Sequence, residues 1–100
     1  MQSNIESSAL EVLRQYPVKR AAFFGSAARG DMTAQSDVDM LIEFLPDTGG
    51  LEFFGLHLDL EKAIGCHVDL ITYEALYRQS KPKFRERVLR DERVFYERAN

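Results

Sequence analysis

The sequence lacks several features, and their absence excludes several classes of protein. It has a single cysteine, Cys66, so no disulfide can form within the chain. No apolar run approaches the roughly 20 residues of a membrane-spanning helix, and the first residues lack the charged and apolar regions of a signal peptide. The net charge of −3 argues against generic DNA coating, which needs a basic face. We therefore expect a cytoplasmic protein that binds neither membranes nor nucleic acids directly.

The length of 100 residues allows one domain with a buried core and leaves little room for a second substrate-binding lobe. Apolar residues make up 45% and charged residues 29%, which is typical of a globular protein. We expect a single domain over 1–100, with its main motifs in 22–71 and a C-terminal helix and edge strand in 78–98.

Apolar spacing and the positions of glycine and proline predict alternating helices and strands. The predicted helices cover 4–15, 51–64 and 83–90, with a helical turn at 73–77. A further helix of barely two turns is capped by Ser26 and ended by Gly30. The predicted strands are 18–24, 37–44, 67–71 and 93–97. This order indicates the α/β class.

Two connections predict the directions of the strands. If the glycine turn after the first strand shares a site with the aspartates that open the second, these two strands run antiparallel. The link from the second strand to the third contains a full helix, which is usual for a right-handed parallel crossover. We therefore expect a mixed β-sheet of about four strands flanked by helices.

Three aspartates on predicted strands form the first candidate site. Asp37 and Asp39 are two residues apart, so their side chains project from one face, about 7 Å apart. Asp69 interrupts the next apolar strand and shares that face if the two strands are parallel neighbours. Three such carboxylates repel one another unless a cation is bound, and Mg²⁺ prefers carboxylates together with substrate phosphates. For Asp37 and Asp39 alone, exposure at the mouth of a strand is an equally good interpretation.

A glycine turn precedes these aspartates. Gly25 lets a phosphate approach the backbone closely, and the free N–H groups of the following helical turn attract an anion. The Ser26 hydroxyl can donate to a phosphate oxygen or cap the helix. A Gly-Ser pair alone marks a turn more often than a site, so its weight comes from its position directly before the aspartates.

Together these motifs resemble the nucleotidyltransferase superfamily of the DNA polymerase beta type. The pattern is a Gly-Ser pair, ten residues, an Asp-x-Asp motif and a single later aspartate on a strand. The chain resembles the minimal (MNT) branch of this superfamily more closely, in the stretches Gly25-Ser26-Ala27-Ala28-Arg29-Gly30-Asp31, Ser36-Asp37-Val38-Asp39 and Val68-Asp69-Leu70.

The resemblance implies a role for each motif residue. Asp37 and Asp39 would hold one or two Mg²⁺ ions, with Asp69 as a third ligand or as general base. Gly25 and Ser26 would grip the β- and γ-phosphates of the nucleotide.

Two more residues of these motifs, Arg29 and Ser36, are candidates for nucleotide binding. Arg29 can brace the loop through a neighbouring acid, which we favour, or it can reach the phosphates. Many members of the superfamily carry arginine where this chain has Ala27, so no phosphate contact is assigned at that position.

The other residues of metal-ligand type, His57, Cys66 and His67, are not assigned to the site. Adjacent residues on a strand point in opposite directions, so Cys66 and His67 make a poor chelate. We expect surface or core packing for all three.

The resemblance implies a protein adenylyltransferase that uses ATP. Because the chain has no room for a second lobe, we expect the acceptor to arrive on another protein. Minimal members are typically antitoxins that transfer AMP to a tyrosine of a HEPN toxin, an RNA-cleaving protein. Two alternatives stay open: a non-catalytic nucleotide-binding antitoxin or interaction module, and a nucleotidyltransferase subunit acting on a small molecule such as an aminoglycoside.

Overall fold

Helices and strands alternate along the chain, which confirms the predicted α/β class. The computed structural model describes residues 2–33 and 35–99. Within these ranges the elements are α1 (Gln2–Leu13), β1 (Val18–Phe24), α2 (Gly25–Arg29), β2 (Val38–Phe44), α3 (Gly50–Ile64), β3 (Val68–Thr72), α4 (Tyr73–Gln79), α5 (Pro82–Asp91) and β4 (Arg93–Glu97).

The four strands form one mixed sheet in the order β3-β2-β1-β4. β1 is antiparallel to both β2 and β4. β2 and β3 are parallel, and the 15-residue helix α3 lies in the connection between them. Both predicted strand directions, and the mixed sheet that follows from them, are therefore confirmed.

The two faces of the sheet carry separate apolar cores. Alternation along β1 sends Ala21 and Phe23 towards α1 and α3, whereas Ala22 and Phe24 face α4 and α5. All four side chains are buried, because helices cover β1 on both faces. In β2, Leu41 belongs to the second core, on the α4 and α5 side.

Near the candidate site, one helix and one strand begin at residues other than those predicted from the sequence. α2 begins at Gly25, because Phe24 holds the N-cap position with an extended backbone at φ −141° and ψ 179°. The prediction of Ser26 as the cap is therefore wrong. β2 begins at Val38, so Asp37 lies in the loop immediately before the strand.

The segment after β3 is a full helix where the sequence predicted a single turn. The Thr72 hydroxyl accepts a hydrogen bond from the Ala75 N–H at 3.0 Å, which caps the first turn of α4. α4 continues from Tyr73 to Gln79, and Pro82 then occupies the first turn of α5, as proline prefers. None of the helices in the described ranges is long and apolar enough to span a bilayer.

Candidate active site

Asp39 and Asp69 face each other across neighbouring strands. Their Cα atoms are direct partners in the parallel register of β2 and β3. On its other side, Asp39 is the register partner of Phe24, the last residue of β1. The end of β1 therefore lies beside the start of β2, and the glycine turn meets the aspartates as the sequence predicts.

Asp37 completes a cluster of three ligand-type side chains. Asp37, His67 and Asp69 each offer one atom, and these atoms lie within 4.8 Å of one another. All three residues are exposed, whereas Asp39 is half-buried against the turn. The structure thus brings together the three aspartates that the sequence predicts as one site.

Gly25 makes the close approach of Asp39 possible. Its φ of +64° is a left-handed conformation that residues with a side chain rarely adopt. A methyl group built on its Cα would lie 2.5 Å from Asp39 Oδ2, far inside van der Waals contact. Glycine is therefore required here both for the turn and for the space that the carboxylate occupies.

The Asp39 carboxylate has an unfavourable environment for negative charge. Burial, followed by the negative charges of Asp69 and Asp37, raises its pKa from 3.8 to about 6. A divalent cation between the carboxylates would remove this repulsion, and oxygen ligands of this kind are those that Mg²⁺ takes. The residues present therefore fit a magnesium site.

His67 is a member of this site that the sequence interpretation left out. Its Nε2 lies 3.1 Å from Asp69 Oδ1, and its Nδ1 lies 2.8 Å from Glu61 Oε2. His67 lies on the surface, in keeping with the expectation of surface or core packing, but its contact with Asp69 was not expected. The signal was its spacing of two residues from Asp69, which puts both side chains on one side of an extended segment. His57 instead contacts the Val68 carbonyl oxygen at 2.8 Å.

Arg29 braces α2 against its surroundings. Its Nε donates to Asp31 Oδ2 at 3.2 Å, and its Nη1 donates to Asp91 Oδ2 at 2.6 Å. These contacts, first with Asp31 and then with Asp91, raise the pKa of the guanidinium. The bracing that we favour from the sequence is present, and contact of Arg29 with phosphates stays a prediction.

The other motif residues of α2 and the following loop differ in accessibility. Ala27 is 1% exposed, so this position cannot contact a ligand. Ser36 Oγ accepts from the Thr33 N–H at 2.8 Å and borders a cavity beside α1, away from Gly25. A contact between Ser36 and the nucleotide stays a prediction.

A cleft of about 190 Å³ opens between the glycine turn and α5. Its walls combine apolar, acidic and basic side chains, namely Phe24, Gly25, Arg29, Asp39, Phe84, Arg87, Val88 and Asp91. A larger cavity of about 570 Å³ lies at the other end of β2, beside Phe44 and Thr72. None of the three aspartates lines it, so the smaller cleft is the one next to the candidate chemistry.

Comparison with known proteins decides the family. The family model described as a nucleotidyltransferase domain matches residues 5–96. The chain belongs to this family. A relative from Methanocaldococcus jannaschii, named as a candidate protein adenylyltransferase, is 33% identical over 89 residues, covering 89% of this chain and 91% of the relative. The protein adenylyltransferase MntA of Thermococcus cleftensis is 32% identical over 76 residues, covering 76% of this chain and 77% of MntA.

Solved structures share the nucleotidyltransferase fold. A candidate minimal nucleotidyltransferase matches with a TM-score of 0.69 and 32% identity, over 88% of this chain and 86% of that chain. A chain of the same fold occurs in the complex of a tri-AMPylated HEPN toxin from Shewanella oneidensis with its MNT antitoxin. That match has a TM-score of 0.67 and 18% identity, and it covers 98% of this chain and 74% of that chain. The prediction of a nucleotidyltransferase enzyme of the minimal branch, with a nucleotide as substrate, is therefore confirmed.

Proposed function

We propose that this nucleotidyltransferase is a protein adenylyltransferase: a hydroxyl group of a partner protein attacks the α-phosphorus of ATP, AMP is transferred to that hydroxyl, and pyrophosphate leaves. The observation that carries the proposal is the direct pairing of Asp39 with Asp69 beside the Gly25 turn. This arrangement offers carboxylates for Mg²⁺ within reach of a backbone that can lie close to phosphates.

All three aspartates are proposed as metal ligands, and Asp69 is given a second role as the base. Asp37, Asp39 and Asp69 would hold Mg²⁺, which when bound neutralises negative charge on the phosphate oxygens. The side chain of Asp69 is 52% exposed, so an incoming hydroxyl can reach it. Asp69 is accordingly our candidate for the base that accepts the hydroxyl proton, and His67 holds its carboxylate in place at 3.1 Å.

The glycine turn would orient the nucleotide. The first N–H groups of α2, from Gly25 onward, would donate to the β- and γ-phosphates, and the Ser26 hydroxyl makes no hydrogen bond to any side chain in the described ranges, so it is available to a phosphate oxygen. Holding the triphosphate beside the aspartates fixes the α-phosphorus relative to the attacking hydroxyl, which lowers the entropic part of the barrier.

We further propose that the acceptor is a tyrosine of a HEPN toxin and that the chain acts as its antitoxin. The relatives named as protein adenylyltransferases support the transfer to protein. The shared fold with the antitoxin that accompanies a tri-AMPylated HEPN toxin supports the kind of partner. The short chain, with little room for a second lobe, is consistent with an acceptor that comes on another protein.

The test is to purify the chain from its native host together with the proteins that bind it, and to measure the mass of the partner after incubation with ATP and Mg²⁺. The expected result is the mass of one or more added AMP groups, localised to tyrosine by fragmentation, with loss of the partner's RNA-cleaving activity. A matched variant with Asn at positions 37, 39 and 69 should leave the partner unmodified and active. If this variant still neutralises the partner, the antitoxin effect is non-catalytic and the proposal fails.

A further inference from the structure

The walls of the cleft beside Asp39 carry two acidic and two basic side chains, and two more acids lie close by. Asp39 and Asp91 are acidic, and Arg29 and Arg87 are the two basic side chains among the lining residues. The carboxylates of Asp37 and Asp69 lie near Asp39 and add to its negative field. A nucleoside triphosphate would bring several further negative charges into this region, so its binding calls for a cationic group whose donors are not already in use.

Arg29 is not that group. Its guanidinium already donates to Asp31 and to Asp91, both of them carboxylates. Arg87 is different, because no salt bridge joins it to an acidic residue anywhere in 2–33 or 35–99. Its side chain is exposed on α5 while it borders the same cleft as Gly25 and Asp39.

One contact of Arg87 itself and the contacts of two nearby residues of α5 place Arg87 at the edge of the cleft. The guanidinium carbon lies 5.9 Å from the centroid of the Phe84 ring, one turn earlier in α5. The next residue, Val88, is 3% exposed and anchors α5 in the second core. Asp91, one turn later, is held by Arg29 at 2.6 Å. α5 is therefore fixed to the sheet and to α2 on both sides of Arg87.

From this arrangement we infer that Arg87 binds the polyphosphate chain of the nucleoside triphosphate from the α5 side of the cleft. The inference rests on the proposed function, since it deepens the account of the same site. The planar guanidinium can give two parallel N–H donors to phosphate oxygens, which an ammonium group cannot. Phe84, through its ring, is a positioning residue for Arg87.

Nucleotide binding in Mg²⁺ without any partner protein tests the role of Arg87, because no acceptor is then present. Calorimetric titrations with ATP and with AMP should be made on the wild type, Arg87→Ala, Arg87→Lys and Arg90→Ala. Arg90 is exposed on the same helix and does not line the cleft, so it is a charge-matched control.

The expected result is that Arg87→Ala weakens ATP binding by about tenfold or more, the loss typical of one charge-assisted contact, and leaves AMP binding within about twofold. Arg87→Lys should recover part of the ATP affinity, and Arg90→Ala should bind both nucleotides like the wild type. Unchanged ATP affinity in Arg87→Ala, or an equal loss for ATP and AMP, would overturn the inference alone. A wild-type chain that does not bind ATP would overturn the proposed function as well.

Discussion

Arg29 and Asp91 are 62 residues apart in the sequence and form a direct ion pair, with Arg29 Nη1 donating to Asp91 Oδ2 at 2.6 Å. The pair links α2, which follows the glycine turn, to the last residue of α5. It therefore connects the two walls of the cleft that borders Asp39.

The first prediction concerns this pair. Arg29→Ala should lower the midpoint of urea denaturation, because Asp91, whose side chain is only 25% exposed, loses its partner. The control is Arg78→Ala, which breaks a pair with Glu74 that is more than 70% exposed on both sides and should change the midpoint little. In a double-mutant cycle, Arg29→Ala and Asp91→Ala should be non-additive. Additive effects of the two substitutions would show that the pair contributes nothing.

The second prediction concerns the glycine turn. Gly25→Ala should reduce the free energy of unfolding by about 2–4 kcal/mol, since it adds left-handed strain to a clash with Asp39 Oδ2. Gly65→Ala is the matched control, because Gly65 has a φ of +86° and, apart from its immediate surroundings in the chain, no atom of the described residues lies within 4 Å of the added methyl group. Gly65→Ala should reduce the free energy of unfolding by about 1 kcal/mol, from backbone strain alone. Equal losses in denaturant titrations would mean that the contact with Asp39 has no energetic weight.

The third prediction concerns the charge of Asp39 in metal-free protein. Its pKa of about 6 in the folded state is above the value of 3.8 for the unfolded chain. The folded state thus binds more protons between these values, so the contribution of Asp39 to stability increases as the pH falls from 7 towards 4. Asp39→Asn should raise the free energy of unfolding at pH 7 by about 1 kcal/mol, discounted for partial exposure, and reduce this pH dependence.

Urea titrations in EDTA between pH 5 and 7.5 measure the effect of Asp39. Glu74→Gln, on the exposed side of α4, is the control and should not change the slope with pH. Added Mg²⁺ should stabilise the wild type, because an ion that binds only the folded state shifts the equilibrium towards the folded state. The same addition of Mg²⁺ should stabilise Asp39→Asn much less. The raised pKa of Asp39 would be contradicted if the wild type and Asp39→Asn gained the same stability between pH 5 and pH 7.5.

The fourth prediction separates binding from transfer. Asp69→Ala should reduce AMP transfer to the partner by at least about 100-fold, as expected for loss of a general base, while ATP affinity changes by less than about fivefold. Asp47→Asn is the control: Asp47 is exposed near the other end of β2, and asparagine tolerates its φ of +65°. It should transfer AMP like the wild type. Near-normal transfer by Asp69→Ala would remove Asp69 from the chemistry.

Much of the fold is predictable from local sequence signals, because they act over a few residues. The strand Arg93–Glu97 has the predicted bounds, and the apolar run 21–24 indicates a strand covered on both faces. The antiparallel direction of β1 and β2 follows from the assumption that the glycine turn and the aspartates share a site. The parallel direction of β2 and β3 follows from the helix between them, and it gives the shared face of Asp39 and Asp69, which the register confirms.

What the sequence does not reveal depends on contacts between distant segments. The pairing of Arg29 with Asp91, and the position of Arg87 at the cleft, arise from how α5 packs on the sheet. Local periodicity shows that α5 is a helix but not which of its arginines faces the site. His67 was missed for another reason: its spacing of two residues from Asp69 puts both side chains on one side of an extended segment, but the sequence interpretation compared His67 only with Cys66.

The position of β3 at the edge of the sheet has a consequence for dynamics. Among the residues that the structure describes, only β2 pairs with β3, so fraying of this edge separates Asp69 from Asp39 and dismantles the site without unfolding the rest of the sheet. A ligand that bridges the two carboxylates opposes that fraying. The amide protons of Val68–Thr72 should therefore exchange with solvent more slowly when the site is loaded, which makes the edge strand a reporter of occupancy.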